Sequence, residues 1–173
     1  MLPDDTLLKE LKLPKGSMQH VDMETGDKIW RTLKPLGVQL VAGGSAANAI
    51  SSAAIFGMET GFIGKVGHDN TGDRFEQALH NLGIDGKIFR GDKPSGKCIS
   101  LVSPDGERTM LTHLGAALEL HADEISEQVF SGYDCLYIEG YLVQDHTLIS
   151  SVAQKAKQCG LTVAIDLASF NVV

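Results

Sequence analysis

Leu7, Leu8 and Leu11 fall on one face of a short opening helix, and behind them the apolar positions switch repeatedly between the helical and the strand period. A Pro14-Lys15-Gly16 turn leads to a strand expected over residues 18–21. A helix with Ile29, Trp30 and Leu33 turned inward then runs to about residue 36. Residues 38–41 form a short apolar run, expected as a strand, that ends at Gly43-Gly44. Ser45 opens an alanine-rich helix that stops before Gly57. Residues 60–66 read as the next strand. Residues 69–82 carry Phe75, Leu79 and Leu82 at helical spacing, with Gly83 where a C-terminal cap belongs.

The middle of the chain changes character. Residues 87–89, 97–103 and 107–113 are short strands, the last two joined by Pro104-Asp105-Gly106, which together predict an antiparallel flap. Beyond it the alternation resumes with a helix over 122–130, a strand over 135–139, a helix over 146–158 closed by Gly160, and a strand over 162–166. Strands alternating with helices mean an α/β domain, and with no repeats or low-complexity linkers the flap is an excursion from that one domain.

Composition narrows the partners. At 173 residues and 43% hydrophobic content there is enough chain for one sizeable core. The net charge of −7 and the scatter of the 15 basic residues argue against binding nucleic acid, which needs clustered cations. No apolar run approaches the ~20 residues of a membrane span, and acidic residues come too early for a secretory signal, so a cytoplasmic protein is expected. Cys98, Cys135 and Cys159 lie in apolar stretches without CxxC spacing, which predicts reduced, buried thiols and no disulfide or zinc site. The six histidines share no metal-ligand spacing, so no metal ligand and no catalytic role is assigned to them.

Two nucleotide motifs are excluded by inspection. No two glycines are separated by a single residue, so the GxGxxG dinucleotide fingerprint is absent. Gly64-Lys65 fails the P-loop pattern, which needs glycine at Glu59 and serine or threonine at Val66. What remains is GGSAAN, Gly43 to Asn48, between a strand and a helix. Paired glycines let backbone approach a ligand, a helix start offers free N–H groups, and the Asn48 amide both donates and accepts. The same segment is also explained as a tight turn with Ser45 as N-cap.

GGSAAN is followed by a helix of about three turns and then by FIGKVGxDxxGxxF and LxxLGI. Together these resemble the signature of PfkB-type carbohydrate kinases, the ribokinase-like family. PSGKCISLVSPDGERTM (94–110), IEGYL (138–142) and DLASFNVV (166–173) extend the resemblance over nearly the whole chain, and LPKGSMQ (13–19) and GERTM are closest to the adenosine-kinase-like subgroup. The resemblance implies a three-layer α/β fold with a small β lid, built from strands around 87–113 together with 17–21. It also implies ATP- and Mg²⁺-dependent phosphorylation of a hydroxymethyl group on a sugar or nucleoside. Asn48 would bind sugar hydroxyls, Gly43 and Gly44 would form the floor and hinge, and Ser45 would lie beside them. Arg108 matches a lid arginine near substrate, though a solvated hairpin charge is the alternative. Glu139 ends a strand at the carboxyl edge and resembles a sugar-binding glutamate, and carboxylates are common there in any case. Lys65 and Asp69 are accounted for by a surface charge and a helix N-cap.

The family's first strand, with a substrate-binding aspartate, would precede Met1, and its anion hole, catalytic aspartate and ATP pocket would follow Val173. The expected fold is therefore truncated at both ends, with no catalytic residue in this chain, which alone is expected to be inactive. Neighbours of the missing strand would expose unpaired backbone groups, so poor folding or association is expected. The main rival is a non-catalytic ligand-binding module or a dimerisation unit acting through the lid. An oxidoreductase is disfavoured by the missing fingerprint.

Overall fold

The computed structural model describes residues 5–167. Residues 168–173, the end of the DLASFNVV match, lie outside the described residues. Five α-helices are described: α1 (Asp5–Glu10), α2 (Met23–Leu33), α3 (Ser45–Ile55), α4 (Asn70–Asn81) and α5 (His146–Gln158). Seven strands accompany them: β1 (Met18–His20), β2 (Gly61–Gly67), β3 (Asp85–Gly91), β4 (Lys97–Val102), β5 (Arg108–His113), β6 (Cys135–Ile138) and β7 (Thr162–Ile165).

β2, α4 and β3 form a βαβ unit in which β3 runs parallel to β2, from Gly61 opposite Asp85 to Gly67 opposite Gly91. Residues 87–89, expected in the flap, therefore belong to this parallel pair, because α4 carries the chain back over β2. The helix starts on the Asp69 side chain, which accepts from Gly72 N, and Gly83 closes it at φ +71°. Phe75 packs edge-on to Phe62 at 5.4 Å and Leu79 is buried, but Leu82 is exposed at the C-cap rather than turned inward. β6 and β7 form a second parallel pair. Among the described residues it shares no hydrogen-bonded ladder with β2–β3. One core nevertheless serves both pairs: Leu148, Val152 and Ala156 on one face of α5 join Leu120, Ile125, Phe130 and Leu161, and Ile63 and Phe89 pack on this cluster alongside Leu136 and Val163.

The hairpin of β4 and β5 is antiparallel, as expected, and β1 adds to β5 in parallel to make a three-stranded sheet. Alternation sends Ile99, Leu101 and Leu111 to one face, where α1 and α2 cover them with Leu8, Ile29 and Leu33. Cys98, Ser100, Arg108, Met110 and Thr112 occupy the other face.

Three further expectations are corrected. Residues 38–41 form no strand; Val38, Leu40 and Val41 are exposed, and an apolar run becomes a strand only where a neighbour pairs with its backbone. Residues 122–130 form no α-helix, only a turn at 122–124 and a 3₁₀ segment at Glu127–Phe130. The Lys155 ammonium donates to the carbonyls of Ala122 (2.6 Å) and Ile125 (2.7 Å), which an α-helix there would have used. All three cysteines are exposed rather than buried: Cys98 on the open face of β4, Cys135 at the start of β6, and Cys159 at the α5 C-cap. No helix among the described residues is long and apolar enough to cross a membrane.

Candidate acceptor site at the start of the third helix

The chain enters α3 through Gly44, the N-cap residue, at φ +111° and ψ 146°, a conformation open to glycine alone at little cost. Ser45 is thereby the first helical residue and not the cap of the alternative tight-turn reading, and no side chain caps the helix from its own chain segment. The role falls to Glu139, at the carboxyl end of β6 and 94 residues away: its Oε1 accepts from Ser45 N at 3.1 Å and from the Ser45 hydroxyl in a short contact. A carboxylate there satisfies an orphan N–H and sits favourably against the positive end of the helix dipole. Asn48, whose N–H makes the first helical bond to Gly44 O at 2.9 Å, lies exposed one turn along.

The carboxyl edge of β6 and β7 adds two groups that sequence reasoning missed. Asp166 follows β7, and its N–H bonds Ile138 O at 3.0 Å. The approach is so close that a side chain at Gly140 would meet Asp166 O at 2.0 Å. The Tyr137 hydroxyl bonds Asp166; burial raises its pKa first, and the Asp166 bond and the Asp166 and Glu139 charges raise it further. The available signal was position, since ligands of parallel sheets collect at the carboxyl ends of strands.

The structure thus joins Ser45 and Glu139, with Gly43, Gly44 and Asn48 in the same segment. Arg108 stands apart: it is exposed at the start of β5, beside the 104–106 turn, on the open face of the hairpin sheet. Lys65 is no surface charge. Its side chain is 9% exposed, and its ammonium donates to Glu119 O at 2.8 Å and to both oxygens of Glu124 at 2.7 and 2.8 Å. Asp69 is the N-cap of α4, as expected, and also accepts from Ser95. Among the described residues no three His, Cys, Asp or Glu side chains lie together so as to hold a metal ion.

The described fold superposes on the crystal structure of adenosine kinase from Sinorhizobium meliloti with a TM-score of 0.87 at 28% identity, covering 99% of this chain and 53% of that one. Among curated proteins it is 29% identical over 127 residues to an ATP-dependent ribose-1-phosphate kinase of Halopiger xanaduensis, covering 72% of this chain and 42% of the relative. It is 38% identical over 134 residues to a 5-dehydro-2-deoxygluconokinase of Geobacillus kaustophilus, covering 72% of this chain and 40% of the relative. The chain therefore spans about half the length of that solved structure and less of these curated relatives. With residues 26–169 matching the description "pfkB family carbohydrate kinase", and the ribokinase-like fold of the adenosine kinases shared throughout the described residues, the chain belongs to the PfkB family.

Proposed function

We propose that this chain carries the acceptor-binding part of an ATP-dependent cytoplasmic kinase that phosphorylates a hydroxymethyl group of a sugar or nucleoside. The observation that carries the reading is the Ser45–Glu139 contact, which brings a helix start and a carboxylate together at the carboxyl end of β6, with Asn48 one turn along the same helix. A polyol presents hydroxyls that both donate and accept: Asn48 meets either need, and Glu139 accepts. Gly43 and Gly44 form the floor. The hairpin sheet is the lid, and closing it brings the Arg108 guanidinium over the acceptor. A homodimer, where one forms, uses the open face of that lid. The names of the two curated relatives specify sugar-derived acceptors, in keeping with a polyhydroxy ligand.

The described residues do not fit the other substrate. They hold neither a metal-binding cluster nor a glycine-rich phosphate cradle, so no step through ATP or Mg²⁺ is assigned to them. The chain by itself is expected to release no ADP from ATP, and steady turnover with any acceptor would refute that division of labour. Calorimetric titration with adenosine, inosine and ribose tests acceptor binding directly. Asn48→Ala is expected to weaken it roughly 10-fold, the worth of one hydrogen bond to a polar partner, at an unchanged melting temperature. Unaltered binding with a lowered melting temperature would reduce Asn48 to a helix residue.

A further inference from the structure

β6 and β7 end side by side, and the residues that leave them put two carboxylates on one face. Leu136 and Val163 pack on the core under α5, so alternation turns Tyr137, Ala164, Glu139 and Asp166 to the opposite face. The register sets Tyr137 beside Ala164 and, one step past the last pair, Glu139 beside Asp166. Backbone fixes Asp166 there: its N–H donates to Ile138 O at 3.0 Å, and Gly140 passes so close to Asp166 O that a side chain would not fit between them. Like charges opposite one another on a ladder repel. Here each carboxylate has its own donor. Glu139 Oε1 takes the start of α3 through Ser45 N and the Ser45 hydroxyl. Asp166 takes the Tyr137 hydroxyl, which lies along the diagonal of the ladder, a span that an aromatic side chain can bridge. Ala164, small and exposed beside Tyr137, leaves that diagonal open.

We propose that Tyr137 is a positioning residue of the acceptor site: by holding Asp166 it keeps that carboxylate off the start of α3 and reserves Ser45 for Glu139. The free N–H groups and the dipole of a helix start attract any carboxylate and do not tell aspartate from glutamate. The phenol makes the distinction, because its hydroxyl bonds Asp166 and meets Glu139 only through its charge. With Asp166 held aside, Glu139 stands in one orientation, Oε1 on Ser45 and Oε2 left to accept from an acceptor hydroxyl. Without the phenol, two negative groups compete for one helix start and Glu139 loses its fixed aim. The inference rests on the acceptor site proposed above, but its first readout needs no acceptor.

Tyr137→Phe keeps the ring and removes only the hydroxyl. In proton–nitrogen correlation spectra of the whole chain, the Ser45 amide signal is expected to move toward its position in Glu139→Gln. Its exchange with solvent should quicken about threefold to tenfold, the worth of one hydrogen bond. Adding Asp166→Asn removes the competing charge, so in the Tyr137→Phe/Asp166→Asn chain the Ser45 signal is expected to return to its wild-type position. Calorimetric titration with adenosine and ribose should show a dissociation constant raised about threefold to tenfold in Tyr137→Phe and recovered in the double variant. If Tyr137→Phe does not fold, Asp166→Glu, whose longer side chain carries the carboxylate past the phenol, supplies the same Ser45 readout. A Ser45 signal unmoved in Tyr137→Phe, or moved and not recovered by Asp166→Asn, would overturn the proposal, since support of the fold alone is blind to the charge of Asp166. Acceptor binding unchanged while the Ser45 signal moves would overturn it as well. A wild-type chain that binds neither probe, with the Ser45 pattern intact, would uphold the sorting of the two carboxylates and count against the function proposed above.

Discussion

Replacing Glu124 by alanine takes away the charged partner of an ammonium group with almost no access to water. Lys65 lies in the middle of β2 with 9% of its side chain exposed, whereas Glu124 is 28% exposed. Breaking a fully buried pair from one side costs about 3–5 kcal/mol. Lys65 keeps the Glu119 carbonyl, and water can enter where Glu124 stood, which brings the expected cost of Glu124→Ala to about 2–3 kcal/mol. In a chain of this size that lowers the melting temperature by about 4–12 °C. The partner substitution is not equivalent. Lys65→Met fills β2 with an apolar chain of similar length and leaves a carboxylate that reaches solvent and still accepts from His121 N at 2.9 Å, so about 1 kcal/mol or less is expected. Urea denaturation of both variants with a common m-value gives the two numbers. Equal costs, or a Glu124→Ala cost below about 0.5 kcal/mol, would refute the claim that Lys65 is held dry.

Other outcomes follow from neighbouring contacts. Leu111→Ala, at a position 1% exposed between the hairpin sheet and α1/α2, is expected to cost about 3 kcal/mol by cavity formation, read in the same denaturant assay. Lys65 first, then the His121 N–H, hold the Glu124 carboxyl below its ordinary value against some burial; at Asp69 burial pushes upward, but the Ser95 and Gly72 bonds outweigh it. With both values lowered in the folded state, the unfolded chain binds protons first on acidification. Their stabilisation is therefore complete above about pH 5 and lost as pH falls through the lowered values, and a stability profile falling instead between about pH 6 and 8 would contradict these assignments. A thiol reagent is expected to titrate all three cysteines in the folded chain, and one slow, unfolding-limited thiol would contradict their exposure.

The parts of the fold that are legible in sequence are those whose signals are local. Helical spacing of Phe75 and Leu79 between Asp69 and Gly83 places α4, and the Pro104-Asp105-Gly106 turn places the hairpin. What fails depends on partners distant in sequence. Residues 38–41 pair with no strand among the described residues, and Ala122 and Ile125 give their carbonyls to Lys155, about 30 residues on. The cysteines depart from expectation because apolar neighbours in sequence alternate in and out along a strand or helix. In the candidate site the residues themselves are visible, as a glycine pair before a helix and a glutamate at a strand end. Their meeting is not, because the 94 residues between Ser45 and Glu139 carry no local trace of it.

Among the described residues the two parallel pairs of the body are joined through side chains rather than a backbone ladder, which leaves a seam between them, and the polar contacts at the seam's two ends act as ties. At one end the Tyr133 hydroxyl, just before β6, donates to Asp85 at the start of β3 (3.2 Å) and lies against Gly61. At the other, Ser45 of α3, which packs on β2, holds Glu139 of β6. We expect a ligand that draws Glu139 Oε1 away from Ser45 to unfasten one end of the seam and shift load to the Tyr133 tie, so that occupancy and the mechanical closure of the body become one variable. Exchange protection along β2 and β6 should then fall together in Glu139→Gln. Protection lost on one strand alone would mean that the packed core closes the seam without its ties.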